Sequence, residues 1–156
     1  MTVSAWRIAA TTPRHTADDL SGGGAELEGG RWNSVGMPAV YASENISLAL
    51  LETIAHVHGR DVPINRYLVR INVPNDIWRK RIALMSPPEG WSEVPPGYSS
   101  ARTGDDWLKA RSSALLIVPS VIVPEECTII LNPRHSDAQR ISATTLRKWN
   151  YDTRYF

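Results

Sequence analysis

Glu52 is the only carboxylate in residues 46–58, a stretch in which eight of thirteen side chains are apolar and the spacing is helical. A carboxylate on such a helix must be hydrogen-bonded, paired with a cation or protonated, because an unpaired buried charge is costly. Either Glu52 lies on an exposed edge and meets His56 one turn later, or it stands at the rim of a cleft and faces a substrate. Gly29-Gly30-Arg31-Trp32-Asn33 is the second chemical feature. Its adjacent glycines let a backbone crowd a ligand, and its guanidinium offers a rigid fork to phosphate, although ordinary turns share this composition. Ser120 stands between Pro119 and Pro124, where the stiff backbone fixes the direction of a hydroxyl. No His or Asp lies at a spacing that suggests a hydrolytic triad with it, so it reads as a positioning group.

Other constellations are weaker. His56 and His58, with Cys127 or His135, have the residue types for zinc. Two residues apart on a helix, however, the two histidines point about 200° away from one another, so no metal is expected. Arg79-Lys80-Arg81 and Arg147-Lys148 beside Trp78 and Trp149 imitate a nucleic-acid surface but read as solvated faces. Gly22 and Gly24 lack the third glycine of a dinucleotide fingerprint, Leu27 standing in its place, and no Walker lysine follows any glycine loop.

The 156 residues fit one domain, and a formal charge of +1 gives no global field to hold a polyanion. Cys127 is the lone cysteine, which excludes an internal disulfide framework. The first seven residues lack the basic and apolar pattern of a secretory signal, and no apolar run is long enough to span a membrane. A cytoplasmic protein without membrane contact is expected. No repeat or low-complexity tract is present.

The elements that must position these residues are legible in outline. Residues 22–30 read as a glycine-rich loop, and residues 40–42 as a short strand after Pro38. Ser43 or Asn45 can cap a helix over residues 46–58 that ends at Gly59. Ile46, Leu50, Ile54 and Val57 share one stripe of it and Leu48, Leu51 and Ala55 cover the opposite side, so the helix is expected to be mostly buried. Residues 66–73 alternate, with Tyr67, Val69, Ile71 and Val73 on one face of a half-buried strand. Residues 87–100 hold four prolines and two glycines and read as an irregular loop anchored by Trp91. A short helix over 104–111, strands over 114–118, 121–123 and 128–131, and a docked final strand at the aromatic end complete an α+β domain.

Gly29-Gly30-Arg31-Trp32-Asn33, Val40-Tyr41-Ala42-Ser43, Ala49-Leu50-Leu51-Glu52-Thr53, the run from Val118 to Pro124 and Leu131-Asn132-Pro133 together resemble the RES-domain family, named for its Arg, Glu and Ser. The resemblance spans nearly the whole chain and implies a single RES domain over residues 1–156. Its fold would have an ADP-ribosyltransferase-like mixed β-sheet core with flanking helices. It implies the toxin of a bacterial type II toxin–antitoxin pair that consumes NAD+ by breaking the nicotinamide–ribose bond and so arrests growth. The ADP-ribose part would pass to water, to phosphate or to a protein. Arg31, Tyr41, Glu52 and Ser120 would form the catalytic set, with Arg31, Tyr41, Trp32, Asn33 and Ser120 holding NAD.

In that scheme Glu52 stabilises an oxocarbenium-like ribose, and Arg31 grips the pyrophosphate or the nicotinamide ribose region. Tyr41 stacks on nicotinamide, and Ser120 positions either ribose or Glu52. The resemblance further implies an Xre-type helix-turn-helix antitoxin that occludes the cleft, no cofactor beyond NAD+ as substrate, no metal and no direct nucleic-acid contact. Self-association stays open. Two other classes are a nucleic-acid-targeting toxin of RNase type and a catalytically silent NAD-binding module.

Overall fold

Alternation in two nine-residue strands, β1 (Thr2–Ala10) and β3 (Arg66–Pro74), builds the centre of the protein. They pair antiparallel along their whole length, from Thr2 opposite Pro74 to Ala10 opposite Arg66. Ala5, Val69, Ile71 and Val73 are buried on one face of this pair, while Trp6, Ile8 and Leu68 point to the other. The two-residue period therefore assigns each side chain to a face, as expected for β3.

The computed structural model describes residues 1–57, 59 and 61–156. Among these residues seven strands form one mixed sheet in the order β4-β5-β6-β2-β1-β3-β7, with β2 at Val40–Ser43, β4 at Ile82–Ala83, β5 at Leu115–Pro119, β6 at Cys127–Leu131 and β7 at Ser142–Lys148. Only β4 and β5 run parallel; all other neighbours are antiparallel. Every residue of β5 is buried, because both faces of the sheet are covered there. One face carries α2 (Ile46–Ala55), packed through Ala49 on Ile8 and Leu68, and α4 (Tyr98–Ala110), packed through Trp107 and Leu108 on Leu116, Val118 and Ile130. The other face is closed by Ile77 of α3 (Asn75–Arg79), by Ile141 after a 3-10 turn at Ser136–Arg140, and by Ala17 and Leu20. No helix among the described residues is long and apolar enough to cross a membrane.

Several expectations change. The Asn45 side chain accepts the Leu48 N–H and caps α2, but the helix ends at Ala55; His58, where it was expected to end, lies outside the described residues. Only Leu48 and Ala49 are buried, and Leu51 is 40% exposed, because one side of the helix meets the sheet and the opposite apolar side does not. Residues 121–123 are a turn and no strand: the Ser120 hydroxyl takes the Ile122 and Val123 N–H groups, which removes them from any ladder. The loop over 22–30 contains a six-residue helix, α1 (Gly23–Glu28). Helix α4 begins at Tyr98, six residues before the expected start, and Gly104 lies in its interior. The final strand is β7, which the alternation did not reveal. Beyond it the aromatic tail closes as a 3-10 turn, Thr153–Tyr155, capped by Asp152, with Tyr151 buried against α2 and the sheet.

Candidate active site

Arg31 stands at the tip of a two-residue turn. Gly30 and Asn33 exchange backbone hydrogen bonds, Gly30 N–H to Asn33 O at 2.9 Å and Asn33 N–H to Gly30 O at 3.4 Å, leaving Arg31 and Trp32 between them. The Asn33 amide donates to the carbonyls of Ala25 at 2.8 Å and Met37 at 2.9 Å, and its Oδ1 accepts the Tyr41 hydroxyl at 2.6 Å. The Tyr41 oxygen in turn accepts the Trp32 N–H at 2.9 Å. A Cβ at Gly30 would lie 2.8 Å from both Asn33 Oδ1 and the Tyr41 oxygen, so close packing requires glycine there. This explains the second glycine of the sequence block without any appeal to a ligand.

The Arg31 guanidinium reaches across to the proline-rich segment, 60 residues away. Its Nη1 donates to the carbonyls of Trp91 and Glu93, each at 2.7 Å, and the Trp91 ring stacks on Trp32 at 6.3 Å. Trp91 is thus the anchor expected of it. Nε and Nη2 have no hydrogen-bond partner among the described residues and remain available for an anion. Burial pulls this guanidinium below its ordinary range, and the negative charge of Glu52 opposes the shift, so the two groups lie within electrostatic reach. It stays a cation under all ordinary conditions.

Glu52 is half-buried on α2, and its Oε1 accepts the Ser120 hydroxyl at 3.1 Å. The direction of that bond is fixed by chemistry. A serine oxygen has one proton and two lone pairs, and here the lone pairs face the Ile122 N–H at 3.1 Å and the Val123 N–H at 3.2 Å, so the proton points at Glu52. Ser120 is fully buried, and its own N–H is tied to Glu126 O at 2.9 Å. Of its two suggested partners, the hydroxyl meets the Glu52 carboxylate here. His56 does not pair with that carboxylate; its Nδ1 lies 2.7 Å from the Glu52 main-chain carbonyl at the end of the helix.

Of the four residues expected as a catalytic set, Glu52 on α2 and Ser120 after β5 are joined by a hydrogen bond, Tyr41 of β2 braces the turn that carries Arg31, and Arg31 feels the charge of Glu52. Trp32 and Asn33, expected to contact NAD, are 2% and 1% exposed, and their side chains pack beneath the turn and shape it. The Trp91 and Glu93 carbonyls were missed, since a backbone oxygen carries no residue-type signal. Among the described residues no group of three or more His, Cys, Asp or Glu side chains could hold a metal. The two basic-aromatic pairs are cation–π contacts, Arg81 over Trp78 at 4.4 Å and Arg147 over Trp149 at 4.5 Å.

Burial, the largest influence, pushes the Tyr41 phenol well above its ordinary value against the Trp32 hydrogen bond, so Tyr41 acts as a neutral donor to Asn33. Tyr41→Phe strips one partner from two buried groups and is expected to lower unfolding stability by about 1–3 kcal/mol. Urea titration checks this, and an unchanged midpoint would show that the hydroxyl does not brace the turn.

The RES domain family matches residues 4–154. The chain is 47% identical to a Prs ADP-ribosylating toxin of Sphingobium sp. (strain YBL2) over 99% of its own length and 97% of that protein's. It is 36% identical to a Toxin Res of Yersinia enterocolitica, over 81% of this chain and 82% of that one. In fold it resembles a chain of the M. tuberculosis MbcT–MbcA toxin–antitoxin complex, with a TM-score of 0.64, 15% identity, and coverage of 94% of this chain and 85% of that one.

Proposed function

This chain belongs to the RES-domain toxin family, and on that premise we propose that it cleaves the nicotinamide–ribose bond of NAD+ and transfers ADP-ribose to a protein. The observation that carries the reading is the Ser120-held carboxylate of Glu52 within electrostatic reach of Arg31. The bond between ribose C1′ and the nicotinamide nitrogen breaks, and its electron pair leaves with nicotinamide. The positive charge left on the ribose is met by Glu52, whose Oε2 has no partner among the described residues and is free to accept a ribose hydroxyl. A nucleophile then bonds to C1′ and loses its proton. Arg31 binds phosphate oxygens through Nε and Nη2, while Tyr41, its hydroxyl anchored, offers the exposed part of its ring to nicotinamide.

The protein acceptor is favoured over water or phosphate by the 47% identical relative, which is named for ADP-ribosylating Prs. Consumption of NAD+ or modification of such a target would arrest growth, so a neutralising partner belongs to the proposal. The fold neighbour comes from a toxin–antitoxin complex, and the resemblance implies an Xre-type helix-turn-helix antitoxin placed over the cleft.

The test uses NAD+ labelled in its adenylate half, incubated with purified protein, with Prs present or absent and with or without inorganic phosphate. Nicotinamide release together with label on Prs is the expected result. Release that needs no protein points to hydrolysis, and release that needs phosphate to phosphorolysis. No release under any condition overturns the proposal.

A further inference from the structure

We infer that Asp105, on α4, is a positioning residue for the substrate-binding Arg31, acting through Ser34 and the Gly30–Asn33 turn. Asp105 lies 71 residues from Ser34, yet takes two hydrogen bonds from it: the Ser34 N–H donates to Oδ1 at 2.9 Å and the Ser34 hydroxyl to Oδ2 at 2.5 Å. The pair is charge-assisted and bidentate, which gives it direction as well as strength. One residue earlier, Gly104 is pressed against the Trp32 carbonyl, so two successive residues of α4 hold the turn on either side of Asn33. The negative charge of Asp105 also contributes to raising the Tyr41 phenol, which places the carboxylate near the hydroxyl that braces the same turn.

The geometry separates two sides of Arg31. Its side chain is pinned by the Trp91 and Glu93 carbonyls, and its backbone by the turn. Asn33 secures the turn from within, through its contacts with Ala25 and Met37. Ser34 is exposed, and Asp105 is the side chain that fixes it from outside. Freeing Ser34 lets the turn shift relative to Glu52, and a shift of about an ångström at a positioned group is enough to weaken binding severalfold. Asp106, the next residue, carries the same charge and is exposed, and its side chain makes no hydrogen bond among the described residues. It is the natural control.

The inference rests on the NAD+ reading, and its test separates the two. Steady-state nicotinamide release is measured for the wild type, Asp105→Ala, Asp105→Asn and Asp106→Ala. Asp105→Ala is expected to raise KM for NAD+ by about fivefold to tenfold with kcat within about twofold, the pattern of lost binding geometry. Asp105→Asn restores KM to within about twofold, because an amide can both accept the Ser34 N–H and donate to its hydroxyl. Asp106→Ala leaves both constants unchanged. If Asp105→Ala fails to fold, Ser34→Ala, which removes one of the two bonds, is expected to shift KM in the same direction by about twofold. An unchanged KM in Asp105→Ala, or in Ser34→Ala where that variant replaces it, or an equal effect in Asp106→Ala, overturns the assignment. Hydrogen exchange at the Ser34 amide gives a readout independent of NAD+. Faster exchange in Asp105→Ala alongside wild-type exchange in Asp106→Ala supports the clamp even if the wild type turns over no NAD+; unchanged exchange in Asp105→Ala overturns it.

Discussion

Glu52→Gln is expected to slow nicotinamide release by about 100- to 1000-fold while leaving the fold intact, the loss seen when a preorganised group facing transition-state charge is removed. The amide keeps the shape of the side chain, and its oxygen still accepts the Ser120 hydroxyl now held by Oε1. Stability should therefore change little. In the proposed reaction, what disappears is the full negative charge facing the ribose as nicotinamide leaves, together with its interaction with Arg31. Binding of NAD+ should be largely retained, so the loss belongs in kcat. Single-turnover nicotinamide release with a parallel thermal melt tests this. Turnover within tenfold of the wild type at unchanged melting temperature would remove Glu52 from its electrostatic role.

The second large effect is structural and comes from Gly104. In an ordinary helix interior, alanine in place of glycine stabilises by roughly 0.5–1 kcal/mol through lower unfolded-state entropy. Here the sign reverses. A Cβ on Gly104 would stand 1.7 Å from the Trp32 carbonyl oxygen, 2.6 Å from its carbon and 3.0 Å from Cα, all backbone atoms that cannot swing aside. The helix has to withdraw from the turn, and Trp107 and Leu108, buried on the same α4 face, withdraw with it. Gly104→Ala is expected to destabilise the protein by about 2–4 kcal/mol, at or above the usual cost of overpacking a core. It should also raise KM for NAD+, because Trp32 adjoins Arg31. Urea unfolding decides the matter: a variant as stable as the wild type would mean that α4 and the turn are not in rigid contact.

Gly104 also shows why part of the architecture was hidden in the sequence. A glycine and an aspartate at 104 and 105 look like the start of a helix, and residues 98–100 read as the end of a proline- and glycine-rich loop; the glycine is interior because another part of the chain approaches it. Similarly, eight apolar residues in residues 46–58 suggest burial on two sides, but a folded surface tolerates exposed leucines, and Leu51 is one of them. The β-branched run at 121–123 has the composition of a strand, yet the Ser120 hydroxyl occupies two of its N–H groups.

What the sequence determined by itself was local. Alternation assigned Tyr67, Val69, Ile71 and Val73 to one face of β3, Asn45 was a candidate to start α2, Trp91 stood out as an anchor in a polar loop, and the spaced blocks named Arg31, Tyr41, Glu52 and Ser120 together. The tertiary structure alone decided that Ser120 points its proton at Glu52 across 68 residues, that Arg31 is pinned by carbonyls 60 and 62 residues away, and that Trp32 and Asn33 lie beneath the turn. Periodicity and capping act over three or four residues and are written in side-chain type. A hydrogen bond between distant segments depends on the path of the chain between them, and where its acceptor is a backbone oxygen every residue type supplies the same atom.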